Sequence, residues 1–219
     1  MKPIFTFFSA LALVAPAFAA EPLVPDLKSI AQDKNAKSYR ITAEWAQDDG
    51  GKPALKLKTV PGEDGLVLIG GVSFTNGVIE FDAKGKNGPP QSNFIGVAFR
   101  VEDGKNYDVV YFRPFNFRAT EAERRAHAVQ YTSLPDWPWP RLRSERTGQF
   151  EKAIEPAPDG DAWFHARIVV QKPKVSVFVN DAQEPSLVVN ELTGRSGGSV
   201  GLWCNGFGAI ANLKIAPQP

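Results

Sequence analysis

Short apolar runs that alternate with polar residues, broken every eight to twelve positions by Gly, Pro, Asn or Asp, dominate the chain from Tyr39 onward. Leu55-Lys56-Leu57-Lys58-Thr59-Val60 has period two, the pattern of a half-buried strand. Gly65 to Ile69 is more continuously apolar, and Val78-Ile79-Glu80-Phe81-Asp82 alternates again after the turn signal Asn76-Gly77. Phe94 to Val101 and Tyr107 to Arg113 flank Asp103-Gly104 and predict two strands joined by a tight turn. The loop from Pro114 to about Ala126 carries Thr120-Glu121-Ala122-Glu123, whose capping-box spacing predicts one or two helical turns. A strand over His127–Tyr131 leads into Leu134–Arg143, where three prolines argue against both helix and central strand. Trp163–Val170, Val175–Val179, Ser199–Trp203 and Phe207–Ile215 complete about ten to twelve predicted strands. The fold class is therefore all-β, a sandwich or barrel, with no fixed-period repeat that would mark a propeller.

The first 38 residues differ. Lys2, an apolar run over Ile4–Ala15 and Ala17-Phe18-Ala19 have the layout of a secretory signal peptide, cleaved after Ala19. Residues 20–38 form a lead-in with one short helix, and residues 39–217 the domain. The protein is expected to be exported, periplasmic or extracellular, with no membrane insertion after cleavage. The 219 residues carry 25 basic and 24 acidic side chains, which argues against a generally basic nucleic-acid binder. One Cys and two His leave no cysteine-rich or histidine-rich metal centre, and Cys204 between apolar neighbours is expected to be buried. Asp159-Gly160-Asp161 offers two acids to Ca2+, far short of six to eight ligands, so it is taken as a turn and no cofactor is expected.

Trp163–Val170, Val175–Asn180, Gly197–Trp203 and Phe207–Ile215, with Gly77–Asp82 and Gly96–Arg100 before them, resemble the strands of concanavalin A-like jelly rolls, the sandwich of laminin-G-type domains and many glucanases. Within that superfamily the chain is most similar to bacterial exported domains grouped as 3-keto-disaccharide hydrolase-like. The resemblance covers roughly Tyr39 to Ile215 and implies two antiparallel sheets, one convex and one concave, with glycans held on the concave face.

Two sets of residues carry candidate chemistry. Glu80 and Asp82 share one strand face about 7 Å apart, but the general acid of laminarinase-like relatives has no counterpart, since Lys84 and Gly85 stand there. Glu80 and His127 are the candidate catalytic residues, with Glu151 and Glu155 in reserve. Arg100, Tyr111, Arg113, Asn116, Gln130, Trp137, Trp139, Arg141 and Arg143 form the candidate substrate-binding set. Planar rings and forked donors are what a sugar's apolar face and hydroxyl rim require. Three readings stay open: a carbohydrate-recognising domain, an enzyme cleaving glycosidic bonds by hydrolysis or by elimination from a 3-keto glycoside, and an adhesion module with protein partners.

Overall fold

The computed structural model describes residues 21–33, 37–60, 62–88 and 93–218; the expected signal peptide lies outside them. Fourteen strands, numbered along the chain, form two seven-stranded antiparallel sheets among the described residues. Sheet one runs β1 (Ser38–Tyr39), β4 (Asp64–Ile69), β13 (Ser199–Asn205), β6 (Phe94–Val101), β7 (Tyr107–Phe112), β8 (Val129–Leu134), β9 (Glu151–Lys152). Sheet two runs β12 (Leu187–Asn190), β11 (Lys174–Val179), β10 (Phe164–Gln171), β5 (Asn76–Lys84), β14 (Phe207–Gln218), β3 (Ala54–Thr59), β2 (Ile41–Ala46). The all-β, jelly-roll sandwich expected from the sequence is what forms.

The core is the space between the sheets. Leu55, Leu57, Phe81, Val97, Val110, Phe112, Phe164, Ile168, Val177, Leu202 and Ile210 are buried there, each contributing about 1.5–3 kcal/mol. Phe112 of sheet one meets Phe164 of sheet two edge-on at 5.0 Å, and Phe117 meets the same ring at 5.1 Å. Cys204 is buried, as its neighbours foretold, and burial pushes its thiol well above the ordinary value. The lead-in docks on this sandwich. Leu23 pairs with Ile215 through backbone bonds of 2.8 and 2.9 Å, and α1 (Leu27–Gln32) starts at Asp26, whose carboxylate accepts from the Lys28 and Ser29 amides. No helix among the described residues is long and apolar enough to cross a membrane.

Two local expectations need correcting. The Thr120–Glu123 segment does make a short helix, α2 (Ala122–Arg125), but its N-cap is Glu121 and no side chain caps it. The proline-rich stretch contains α3 (Trp139–Glu145), where no helix was expected. Pro138 is its N-cap and Pro140 lies in its first turn, where the missing N–H would have had no helical partner.

Candidate functional site

A sheet with one solvated face should alternate between apolar and polar positions. Sheet one does not: every residue of β7 is buried. Its outer face carries a second apolar cluster of Leu66, Ala98, Tyr107, Val109, Tyr111 and Trp203, flanked by Tyr39, Leu68, Phe94 and Leu134. The strand register explains how it closes. Trp203 pairs with Gly96, and Gly96 pairs with Tyr111, so the two aromatic residues lie two strands apart, nominally about 9–10 Å. Gly96 offers no side chain between them, and the rings stack across it at 4.8 Å with 28° between planes. A Cβ at Gly96 would fall 2.8 Å from that of Tyr111. The Trp203 indole donates to the Tyr107 hydroxyl at 3.3 Å.

This stack floors an open groove of about 620 Å3. Phe94, Thr132 and Leu134 extend the floor; Pro138, Trp139 and Pro140 make one wall, and Arg40, Glu63, Asp64 and Asn205 the other. Trp139 opens α3 and is 47% exposed, an apolar ring presented to solvent at the edge of the groove. The Arg143 guanidinium lies 4.8 Å from its ring centre and is itself fixed by Glu151, whose two carboxylate oxygens take its Nε at 2.9 and 3.2 Å.

Beneath the Tyr111 end lies a polar network. The Tyr111 hydroxyl donates to Gln130 Oε1 at 2.7 Å and accepts from Arg113 Nη2 at 3.1 Å. Arg113 also donates to Gln130 Oε1 and to the His127 carbonyl. Glu151, on β9, gathers Arg143 at 2.9 Å, His127 Nδ1 at 2.8 Å and Arg113 at 3.7 Å. The His127 contact is close but off the N–H direction, so Nδ1 makes no well-aligned hydrogen bond. Burial holds His127 below the ordinary imidazole value; Glu151 pulls the other way, and Arg143 and Arg113 reinforce the lowering. The balance favours the neutral imidazole. Burial raises Tyr111 to about 12, so its hydroxyl keeps its proton.

The structure brings Tyr111, Arg113, Gln130, His127, Trp139 and Arg143 together at one end of the groove. Tyr111 and Trp139 line it, while the polar four support them from below or behind. The remaining members are elsewhere. Arg100 is not a groove residue: it is fully buried between the sheets, paired with Asp108 and Glu191. Its φ of 50° and the register shift beside it mark a bulge that turns its side chain off the outer face. Asn116 is buried in a 3-10 turn, where its side-chain oxygen accepts from Arg124 at 3.3 Å. Trp137 packs against the main core and is covered by Arg141 at 4.1 Å, so neither lines the groove. Glu80 lies on β5, on the outward side of sheet two, with Arg167 and Lys214 opposite it on the neighbouring strands. His127, expected to open a strand, lies instead in the turn between α2 and β8, beside Glu151, and neither it nor Glu80 lines the groove.

Asp82 shares that outward side of sheet two with Glu80. It accepts from Lys52 and Asn212 at 2.7 Å and contacts His165 Nδ1 at 2.9 Å. Burial opposes its ionisation, but these three donors outweigh it and hold the carboxyl below its ordinary value. Asp159 and Asp161 close their turn with the Asp161 amide on Asp159 at 2.9 Å. No group of three or more His, Cys, Asp or Glu among the described residues is placed to hold a metal ion.

Arg40, Asp64, Phe94, Trp203 and Asn205 were not singled out from the sequence. Period-two alternation puts 64 with 66, and 203 with 205, on common faces. Nothing local shows that β4 and β13 join β6, about 100 residues from β13, to build one floor.

No protein-family model matches the chain, and no curated protein matches it. Among solved structures it resembles the carbohydrate-binding module CBM66 from Bacillus subtilis, with 15% identity, a TM-score of 0.55, and coverage of 83% of this chain and 97% of that one. A Bacillus subtilis protein of unknown function with a galectin-like fold gives 16% identity, TM-score 0.54, and coverage of 87% and 92%. The metal-free Emp46p carbohydrate recognition domain gives 9% identity, TM-score 0.53, and coverage of 88% and 94%. The fold is the concanavalin A-like jelly roll. At these identities the likeness speaks to fold, and the site must be argued from its own residues.

Proposed function

We propose that the protein is an exported carbohydrate-binding domain that holds a glycan in the groove of sheet one, with Trp139 as the stacking platform. The exposed Trp139 ring facing a floor of stacked Tyr111 and Trp203 carries this reading. Sugar rings offer flat C–H faces edged by hydroxyls, and this groove pairs aromatic surface with polar atoms of Arg40, Glu63, Asp64, Thr132 and Asn205. Trp139 is already held between Pro138 and Pro140 and over Arg143, which reduces the ordering cost of binding. The cleft on sheet two is smaller, about 300 Å3, and sets Lys56, Lys58, Lys84, Glu44 and Asp49 beside Leu57, Phe207 and Ala209, without an indole in its lining. Export rests on the Lys2, Ile4–Ala15 and Ala17-Phe18-Ala19 pattern. Binding is favoured over glycosidic-bond cleavage because neither candidate base, Glu80 or His127, lines the groove.

Trp139→Ala should weaken binding to the best oligosaccharide in a panel by at least about 30-fold, the effect of losing a central aromatic anchor. Because the ring is exposed, the melting temperature should move little. Isothermal titration of parent and variant checks it; parent-like affinity in Trp139→Ala would remove the groove from consideration.

A further inference from the structure

The groove's two walls differ in chemistry. The Trp139 wall is apolar, whereas the opposite wall presents Asp64 and Asn205, adjacent on β4 and β13 and in register. Asn205 Nδ2 donates to Asp64 Oδ1 at 2.8 Å; Oδ2 has no hydrogen-bond partner among the described residues. The backbone carbonyl of Asp64 is separately taken by Arg40 Nε at 2.9 Å, and Arg40 Nη2 binds the Gly104 carbonyl at 2.9 Å. Arg40 therefore props the wall with two of its donors, and it holds a left-handed φ of 52° to do so. The wall's carboxylate is left with open acceptor capacity facing an aromatic platform.

We infer that Asp64 and Asn205 form the subsite that reads the hydroxyls of an uncharged sugar and excludes acidic sugars. This rests on the glycan reading of the groove. A carboxylate oxygen accepts two donors, and bonds from hydroxyls to a charged acceptor are among the stronger ones. Adjacent hydroxyls of a ring stacked on Trp139 would supply them, while the Asn205 amide oxygen, which accepts from no residue described here, takes a third. Burial raises the Asp64 carboxyl above its ordinary value, against the Asn205 hydrogen bond and the Arg40 charge. A poorly hydrated carboxylate of this kind gains most from ligand donors. The same wall repels a uronate or sulfate. Its lining charges are Glu63 and Asp64 against Arg40, and Arg113 and Arg143 do not line the groove and are engaged by Glu151.

The test titrates parent, Asp64→Asn and Glu63→Gln with neutral cello-, xylo-, arabino- and malto-oligosaccharides and with acidic oligogalacturonate and oligoguluronate. The parent should bind at least one neutral ligand and prefer it over both acidic ones. Asp64→Asn should lose about tenfold or more on that ligand, and Glu63→Gln, at an exposed position that leaves folding intact, should narrow the preference against acidic ligands. Parent preference for an acidic oligosaccharide, or neutral binding by folded Asp64→Asn within twofold of the parent, overturns the inference while leaving glycan binding in place. If Asp64→Asn does not fold, an unchanged neutral-to-acidic ratio in Glu63→Gln overturns it. A parent that binds nothing in the panel overturns both this inference and the reading beneath it.

Discussion

Asp108→Ala should unfold about 6–20 °C below the parent protein, the consequence of about 3–5 kcal/mol lost from a broken buried ion pair. Asp108 sits on the inward side of β7 with no exposed surface. It accepts from Arg195 Nη1 at 3.0 Å, the Tyr131 hydroxyl at 3.1 Å, Arg100 Nη1 at 3.4 Å and the Ser133 hydroxyl. Taking it away leaves Arg100, also with no exposed surface, facing Glu191 alone among carboxylates. Arg100 Nη2 already lacks a partner, so the site has no spare acceptor to offer. Thermal unfolding by circular dichroism checks this, and glycan affinity measured well below the lower melting point should be unchanged. The cluster lies between the sheets, on the far side of sheet one from the groove.

Glu151→Ala should also destabilise, by about 3 kcal/mol, but with a second effect that Asp108→Ala lacks. Glu151 is 3% exposed and is the anion between Arg113 and Arg143. Without it Arg113 keeps only neutral acceptors, the His127 carbonyl, the Tyr111 hydroxyl and Gln130 Oε1. Losing one partner of a buried pair leaves a charge uncompensated. Arg143, about a third exposed, would swing into solvent and release Trp139 from beneath. Oligosaccharide affinity should therefore fall several-fold in Glu151→Ala at a temperature where it remains folded. Titration calorimetry beside a urea unfolding curve separates the two effects; a loss of stability with parent-like affinity would detach Trp139 from the network.

The contrast between these two clusters shows what local pattern can and cannot carry. Alternation along Tyr107–Arg113 places Tyr111 and Arg113 on one face, and they do share it. Continuing the same alternation along β6 would put Arg100 on the groove side with Ala98. One extra residue at the bulge reverses that, because a single-residue slip exchanges the faces of a strand. Glu80 and Asp82 do share one face of their strand, but whether β5 enters the groove's sheet or the other depends on pairings with β10 and β14 that lie far away in sequence. Trp203 was lost for the same reason. Its partner across the Gly96 gap is Tyr111, more than 90 residues earlier. Trp137 and Trp139 look equivalent in the sequence, yet helix α3 starts between them, placing one ring on the core and the other over solvent.

The indole N–H signals of Trp45, Trp137, Trp139, Trp163 and Trp203 give the most direct measurement of where a ligand sits. Trp139 edges the groove on sheet one, whereas Trp163 packs with Ala209 and Ala211 on the outer side of sheet two. Titrating the labelled protein with a bound oligosaccharide should shift the Trp139 resonance most and leave Trp163 in place. A shift confined to Trp163, with Trp139 and Trp203 unmoved at saturation, would put the ligand on the wrong side of the sandwich and contradict the account.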